Sequence, residues 1–184
     1  MSILDIRVLG DPVLRQATTP IDRVTDEHRR LIDDMFETMY EARGIGLAAP
    51  QVGRTERICV VDVDGAKFAL INPEIIEGEG KKRAEEGCLS IPEIYGDVER
   101  RVRTVVRALD RDGAPIEVEG TELLARCFQH EIDHLDGKLF IDYLSFLKRR
   151  SAMTKWEGVR EQYPGLIRRL TADEVRRIQA DEDL

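Results

Sequence analysis

The stretch QHEIDHLDG, residues Gln129–Gly137, determines how this chain of 184 residues is organised. It places two histidines four positions apart, with a glutamate directly after the first. Residues i and i+4 share one face of an α-helix, so His130 and His134 can offer two imidazole nitrogens to one metal ion. Glu131 lies about 100° around the helix from His130, where it can take a proton from a water on the open side of the metal.

The residues on either side predict that this stretch belongs to a helix. Thr121 is a suitable N-cap, Glu122 favours the first turn, and Gly137 can end the helix with a positive φ. The apolar residues recur at spacings of three and four, and they are Leu123, Leu124, Cys127, Phe128 and Leu135. One face of the helix is therefore expected to be buried. Two of the chain's three histidines lie on this helix, and core packing alone does not explain them.

A catalytic site of this kind needs a third protein ligand and one open position. Phe140 stands where one class of H-E-x-x-H protease carries a third histidine, and His28 lies far upstream in a charged run. The thiol of Cys127 would crowd the first turn of the helix, and Cys59 lies in an apolar run typical of a core strand. Cys88, in a glycine-bearing stretch that can aim a thiolate inward, is therefore the predicted third ligand.

A second unusual stretch, Gly44–Gly53, contains three glycines, one proline and a single polar side chain. Glycine lacks the Cβ that would keep a ligand away from the backbone. Gln51 is then the one side chain able to donate a hydrogen bond to a developing oxyanion. A tight, buried connection between a helix and a strand explains the same composition equally well.

Composition excludes several classes of protein. The formal net charge of −8 and the pI of about 5.1 argue against a nucleic-acid-binding domain. No apolar run approaches the ~20 residues of a membrane span, and the N-terminus lacks the basic and apolar regions of a secretory signal. Three cysteines favour no disulfide framework, and a reducing cytoplasm suits a thiolate ligand.

The remaining patterns predict a single α+β domain over residues 1–184, with a helical tail from about residue 148. A helix is expected from Thr25 to about Arg43, with His28 on its surface. The expected strands cover residues 57–63, 67–73, 74–77, 101–109 and 115–119, with Asp64-Gly65 as a hairpin turn. Residues 78–83 are expected to form an exposed turn. These strands form local hairpins, so the sheets should be antiparallel.

Three stretches together resemble the three motifs of bacterial peptide deformylase, in its common bacterial type. They are Gly44–Gln51 (GIGLAAPQ), Glu86–Ser90 (EGCLS) and Gln129–His134 (QHEIDH), and the resemblance extends to about residue 150. It implies antiparallel sheets around a central metal-bearing helix. It also implies that Cys88, His130 and His134 hold the metal, which agrees with the ligand set chosen above.

The resemblance assigns roles to further residues. Glu131 becomes the general acid and base, and Gln51 and the backbone N–H of Leu89 become oxyanion donors. Ile45 and Gly46 would hold the substrate backbone as an added strand. Cys127 and Ile45 are candidates to line a methionine pocket together with Leu123, for which core packing is the simpler explanation.

The implied reaction removes the formyl group from the N-terminal formylmethionine of newly made proteins and releases formate. The implied metal is one divalent ion, Fe²⁺ in the cell, although Zn²⁺, Ni²⁺ and Co²⁺ suit the same ligands. The implied partners are N-formylmethionyl nascent peptides and, transiently, the ribosome, with the protein acting as a monomer. Two departures concern Ile94-Tyr95, where the family often has arginine, and a tail that ends acidic rather than basic.

Two alternatives remain open from the residues alone. An endopeptidase of the H-E-x-x-H kind should have a carboxylate or histidine as its third ligand. A non-catalytic module, whose metal only holds the fold, should have a fourth protein ligand, for which Cys127 is the nearby candidate.

Overall fold

The computed structural model describes residues 1–182 and, within them, four α-helices and nine β-strands. The helices are α1 (Asp26–Glu41), α2 (Glu122–Leu135), α3 (Phe146–Val159) and α4 (Ala172–Glu182). The strands are β1 (Ile6–Arg7), β2 (Gly46–Ala48), β3 (Ile58–Val63), β4 (Ala66–Glu79), β5 (Lys82–Cys88), β6 (Ile91–Arg100), β7 (Arg103–Leu109), β8 (Pro115–Thr121) and β9 (Ile167–Arg168). These strands pair only in antiparallel fashion, which confirms the α+β class.

The largest sheet has five strands in the order β2-β3-β4-β7-β8. The predicted hairpin between β3 and β4 is confirmed, with Asp64 and Gly65 both at positive φ. The prediction of a separate strand over residues 74–77 is wrong, because β4 bends instead of ending. Asn72 adopts a φ of 52°, the register shifts between residues 71 and 74, and the Asn72 side chain holds the bend through two 2.8 Å hydrogen bonds to the Ile21 backbone.

Strand β3 is buried on both faces, and its alternating side chains separate two parts of the core. Ile58 and Val60 pack in a cluster with the apolar face of α1. Cys59 and Val61 pack in another cluster with Phe128 of α2. The metal helix predicted from the sequence is therefore held against one face of the five-stranded sheet, and α1 covers the other.

A second, two-stranded sheet pairs β5 with β6. The prediction of an exposed turn over residues 78–83 is wrong in extent, since only residues 80–81 separate β4 from β5. Ile91, Ile94 and Val98 of β6 pack in one cluster with Phe140 and Trp156, so that α3 covers this sheet. The patterns had predicted no strand over β5 or β6, because the charged residues there hide the alternation.

Helix α2 begins and ends where the sequence predicts, but its N-terminus is capped differently from the prediction. Thr121 occupies the N-cap position but makes no side-chain cap, and the Glu122 N–H instead donates to the Val102 carbonyl at 2.8 Å. After the helix, Gly137 has a φ of +72°, and a Cβ there would lie 2.6 Å from the Arg15 carbonyl oxygen. Glycine is thus required by conformation and by space.

The first residues of α1 and α3 add detail to two predictions. Thr25 caps α1 as expected, while the His28 ring accepts from the Thr25 backbone N–H at 3.1 Å, so His28 is part of a capping box. The helical tail, expected from about residue 148, begins at Phe146. No helix among the residues described here is long and apolar enough to cross a membrane.

Candidate metal centre

The two histidines of α2 converge as the i, i+4 spacing predicted. Their Nε2 atoms lie 3.2 Å apart and their ring centroids 5.0 Å apart. His134 is buried and His130 is nearly so. The buried side of α2 thus presents two imidazole nitrogens to one point.

Cys88 reaches the same point from the end of β5. The β5–β6 pairing shifts register between Glu86 and Cys88, and this bulge turns the thiol toward the helix. The Cys88 Sγ lies 3.3 Å from His134 Nε2, and the ligand atoms of Cys88, His130 and His134 all lie within 4.8 Å of one another. The structure therefore brings together the three residues chosen as ligands from the sequence.

The other two cysteines, which were rejected as the third metal ligand, lie outside the cluster of donor atoms. Cys59 is fully buried in the core of the five-stranded sheet. The Cys127 thiol points to the Ile45 carbonyl oxygen at 3.5 Å and is not among the clustered donor atoms. Burial raises the pKa of both thiols well above 9, which keeps them protonated and inert.

The spacing of the three donors fits a tetrahedral metal ion. Two nitrogens bound at about 2.05 Å to such an ion lie about 3.4 Å apart, and a nitrogen and a thiolate sulfur lie about 3.5 Å apart. The observed separations of 3.2 and 3.3 Å are close to both values. Two histidines and one thiolate leave a fourth position for a water or a substrate.

A buried ionic network orients His130. Glu86 accepts from His130 Nδ1 at 2.9 Å, from Arg100 at 2.8 and 3.1 Å, and from Arg126 at 2.8 Å. Arg100 also donates to Asp133 at 2.6 Å. Because Nδ1 is used in this way, His130 offers Nε2 to the metal position.

The surroundings shift the pKa values of the two imidazole rings in opposite directions. Burial disfavours the charged form of His130, but hydrogen bonds to Cys88 and Glu86 outweigh it and raise the pKa of that ring. Burial and the neighbouring charge of His130 lower the pKa of His134 well below its ordinary value. His134 is thus neutral and ready to act as a ligand at pH 7.

Glu131 is a buried carboxyl beside the three donors. Burial is the main cause that raises its pKa from 4.5 to about 7, where a group can both accept and return a proton. Its Oε2 is buried and has no hydrogen-bond partner among the described residues. A Cβ at Gly46 would overlap Glu131 Oε1 and lie 2.8 Å from Cys127 Sγ, so only glycine at position 46 leaves room for this carboxyl.

Gln51 also approaches Cys88, from a short 3₁₀ helix (Ala49–Val52) that follows β2. Its Oε1 accepts the Ala48 N–H at 2.9 Å, which directs its amide nitrogen toward Ser90 Oγ at 3.2 Å and Cys88 Sγ at 3.6 Å. Gln51 is buried. The Gly44–Gly53 stretch is thus a tight, buried connection that follows α1 and contains β2, and it also brings the Gln51 amide nitrogen next to Cys88.

A cavity of about 410 Å³ opens onto these groups, within the range of roughly 300–1,000 Å³ usual for small-molecule sites. Ile45, Gly46, Cys127 and Leu89 line it, as do Glu131 and His130. Leu123 also lines it and is about half exposed, so the expectation that Leu123 belongs to the core is wrong. It lies on the first turn of α2, at the mouth of the cavity.

Several contributors to this site were missed in the sequence. Arg100 and Arg126 gave no signal, because a charged residue within a strand or helix usually faces solvent. Glu86 was noticed only as part of a motif. Its burial depends on partners from β6 and α2, which the sequence does not place beside it.

The sequence and the fold of this chain are similar to those of known proteins. Residues 3–150 match the family model described as polypeptide deformylase. A peptide deformylase of Alkalilimnicola ehrlichii is 56% identical over 166 residues, which cover 88% of this chain and 93% of the relative. A crystal structure of a peptide deformylase from Legionella pneumophila is similar with a TM-score of 0.84 and 46% identity, covering 88% of this chain and 97% of that one.

A second similar solved structure is that of a complex. It is a peptide deformylase from Ehrlichia chaffeensis in complex with actinonin, with a TM-score of 0.83 and 39% identity. It covers 86% of this chain and 98% of its own. The matched lengths show that the similarity includes nearly all of each relative.

Proposed function

This chain belongs to the polypeptide deformylase family of metal-dependent hydrolases, which remove the N-formyl group from the N-terminal formylmethionine of new proteins, and we propose how its own residues divide that work. The observation that carries the proposal is the meeting of Cys88, His130 and His134 beside the buried carboxyl of Glu131. Residues 1–184 would act as one catalytic domain, because α2 packs against the large sheet and its histidine meets a cysteine from the small one.

Cys88 Sγ and the Nε2 atoms of His130 and His134 would hold the metal ion. A bound divalent ion supplies Lewis-acid polarisation of the formyl oxygen and makes a coordinated water acidic. We infer Fe²⁺ in the cell, because one thiolate with two imidazoles suits it as well as Zn²⁺, Co²⁺ or Ni²⁺ and the resemblance favours iron. Three free cysteines, and a ligand set open to oxidation, support a reducing cytoplasm.

Glu131 would move the proton. Its pKa of about 7 lets the carboxylate accept a proton from the attacking water and then return it to the leaving amine. Its unpartnered Oε2 is free to make that hydrogen bond. The neighbouring Gly46 keeps the space in which the carboxyl lies.

Two donors would stabilise the oxyanion that develops on the formyl group. One is Gln51 Nε2, whose direction is set by the bond from the Ala48 N–H. The other is the backbone N–H of Leu89, directly after Cys88. Loss of one such donor typically costs ~3–4 kcal/mol of transition-state stabilisation.

The substrate backbone would add to the open edge of β2. That strand is the first in the five-stranded sheet and pairs with β3 on one side only, which leaves its other edge open to a peptide at Gly46. The carbonyl of the preceding Ile45 accepts the Asp62 N–H at 2.9 Å, which fixes the start of this edge against β3. Ile45, Leu123 and Cys127 would line the methionine pocket. A formyl carbon bears only hydrogen, so the narrow space beside Gly46 admits it and excludes larger acyl groups.

A monomer that contacts the ribosome transiently is the assembly we propose. Phe146 and Leu147 at the start of α3 are largely exposed, and three basic residues, Lys148–Arg150, follow them. An apolar pair beside positive charge suits a surface of RNA and protein. Cosedimentation with ribosomes that is unchanged in Phe146→Ala would contradict this contact.

The test of the proposed function uses anaerobically purified, iron-loaded protein and the peptide formyl-Met-Ala-Ser, with formate as the readout. Wild type should release formate, and Glu131→Ala should lower kcat by about 10²–10⁴-fold while one metal per chain is retained. Glu122→Ala is the matched control, because Glu122 lies on the same helix and is exposed. The absence of formate from wild type with one bound metal would refute the proposal.

Neither alternative gains support from the site. The third donor is the Cys88 thiol rather than a carboxylate or histidine, unlike the set expected of an endopeptidase. Cys127 does not offer a fourth ligand for a purely structural metal, and a buried carboxyl with a pKa near 7 suits catalysis.

A further inference from the structure

The C-terminal segment returns to the cavity that contains the metal centre. Strand β9 pairs with β1, and α4 follows it. The cavity that Glu131 and Cys88 line is also lined by residues of this segment, namely Tyr163, Arg168, Glu174, Arg177 and Ile178. The reaction described above uses none of these side chains.

Arg168 fixes α4 against the turn that carries the metal ligand Cys88. Its guanidinium is buried, donates to Glu174 Oε1 of α4 at 2.7 Å, and donates to the Leu89 carbonyl at 3.3 Å. The same turn accepts a second bond, from the Leu9 N–H to the Ser90 carbonyl at 2.8 Å. The position of α4 is therefore coupled to the catalytic loop.

Two consecutive residues of α4 face the cavity. Arg177 donates to Gln162 Oε1 at 3.0 Å and pairs with Glu93 and Glu174 at 3.5 Å each, so its charge is already balanced. Its aliphatic stem and the half-buried side chain of Ile178 are then the surfaces offered to a ligand. Arg176 pairs with Asp173 on the same helix and does not line the cavity.

We propose that α4 forms a subsite for the part of the peptide that follows the formylmethionine, with Ile178 and the Arg177 stem contacting an apolar side chain of the third residue. The proposal rests on the proposed function and identifies its preferred substrates as formyl tripeptides and longer chains with an apolar third residue. Gly46 of β2 and Leu89, whose carbonyl accepts from Arg168, line the same cavity as Arg177 and Ile178 of α4. A peptide that extends from β2 through this cavity would therefore have α4 as one of its walls.

The experiment compares formate release from formyl-Met-Ala, formyl-Met-Ala-Leu and formyl-Met-Ala-Glu by the iron-loaded full chain. The measured quantity is kcat/KM for the leucine tripeptide divided by that for the dipeptide. Ile178→Ser should lower this ratio about three- to tenfold, as expected when part of one apolar side chain loses its contact. The loss should lie in KM, because such a contact binds ground state and transition state alike.

Matched variants separate the contact from a general effect on α4. Arg177→Ala should lower the ratio in the same direction, Ile178→Leu should keep it, and Arg176→Ala should leave it at the wild-type value. In each of these variants, kcat/KM for the glutamate tripeptide should be close to kcat/KM for the dipeptide.

Three results would overturn the subsite. One is an unchanged ratio in Ile178→Ser, and another is an equal fall in Arg176→Ala. The third is a rise in kcat/KM for every peptide in Ile178→Ser, which would show that α4 obstructs the cavity. Formate from the dipeptide establishes the proposed function in the same assay, so these results overturn the subsite alone, whereas no formate from any peptide overturns both.

Discussion

Replacing Glu86 by glutamine should destabilise the protein far more than the same change at its neighbour Glu85. The carboxylate of Glu86 is buried and accepts four hydrogen bonds, two from Arg100 and one each from Arg126 and His130. A glutamine amide would turn its NH₂ group toward one of these donors and remove the negative charge between two guanidinium groups. Glu85 is exposed, so Glu85→Gln is the matched control.

The structure gives the size of the effect. Burial alone would raise the pKa of Glu86, but the bonds from His130 and Arg100 outweigh it and lower that pKa from 4.5 to about 2. A difference of this size corresponds to roughly 3 kcal/mol, in line with the ~3–5 kcal/mol lost when one partner of a buried ion pair is removed. Glu85→Gln should change the free energy of unfolding by less than about 0.5 kcal/mol.

Urea unfolding at pH 7, with and without metal, measures this difference. With a urea dependence of ~1–3 kcal/mol per molar, the midpoint of Glu86→Gln should fall by about 1–3 M. Because the folded pKa lies below the unfolded one, the contribution of Glu86 is complete above about pH 5 and is lost as the pH falls toward 2. The stability of Glu86→Gln should therefore depend less on pH in that range.

Equal midpoints for Glu86→Gln and Glu85→Gln would refute the account of the network. So would a parallel acid dependence in wild type and Glu86→Gln. A loss of metal affinity without a loss of stability would show that Glu86 orients His130 but does not hold the two arginines.

Two further predictions concern the space around Glu131 and the cluster beneath the small sheet. Gly46→Ala should lower kcat/KM by about 100-fold, because the new Cβ overlaps the Glu131 carboxyl and displaces it by about 1 Å; Gly158→Ala, which meets no atom within 4 Å, should keep the wild-type rate in the formate assay. Trp156→Ala should cost about 3–5 kcal/mol in urea unfolding, since Trp156 is buried and stacks on Tyr163 at 5.8 Å. Phe146→Ala on the same helix, where the side chain is 77% exposed, should cost less than about 0.5 kcal/mol, and equal losses would contradict this account of the core.

Local chemistry made part of this protein predictable. The i, i+4 spacing of His130 and His134 fixes their common face once the helix forms, and the apolar spacing and Gly137 predict that helix. The Asp64-Gly65 hairpin follows from its turn residues. The family was also accessible, because three motifs in one order carry more information than any one of them.

Tertiary structure decided what depends on residues far apart in the chain. A charged residue in a sequence usually indicates a side chain that is exposed to solvent. Glu86, Arg100 and Arg126 form a buried network only because β5, β6 and α2 bring them together. The bend of β4 at Asn72 depends on two bonds to Ile21, which lies 51 residues earlier. Likewise, α4 has the sequence pattern of an ordinary surface helix. Its place beside the metal centre depends on the β1–β9 pairing and on Arg168. Such long-range contacts could not be predicted, because they leave no periodic pattern in the residues that make them.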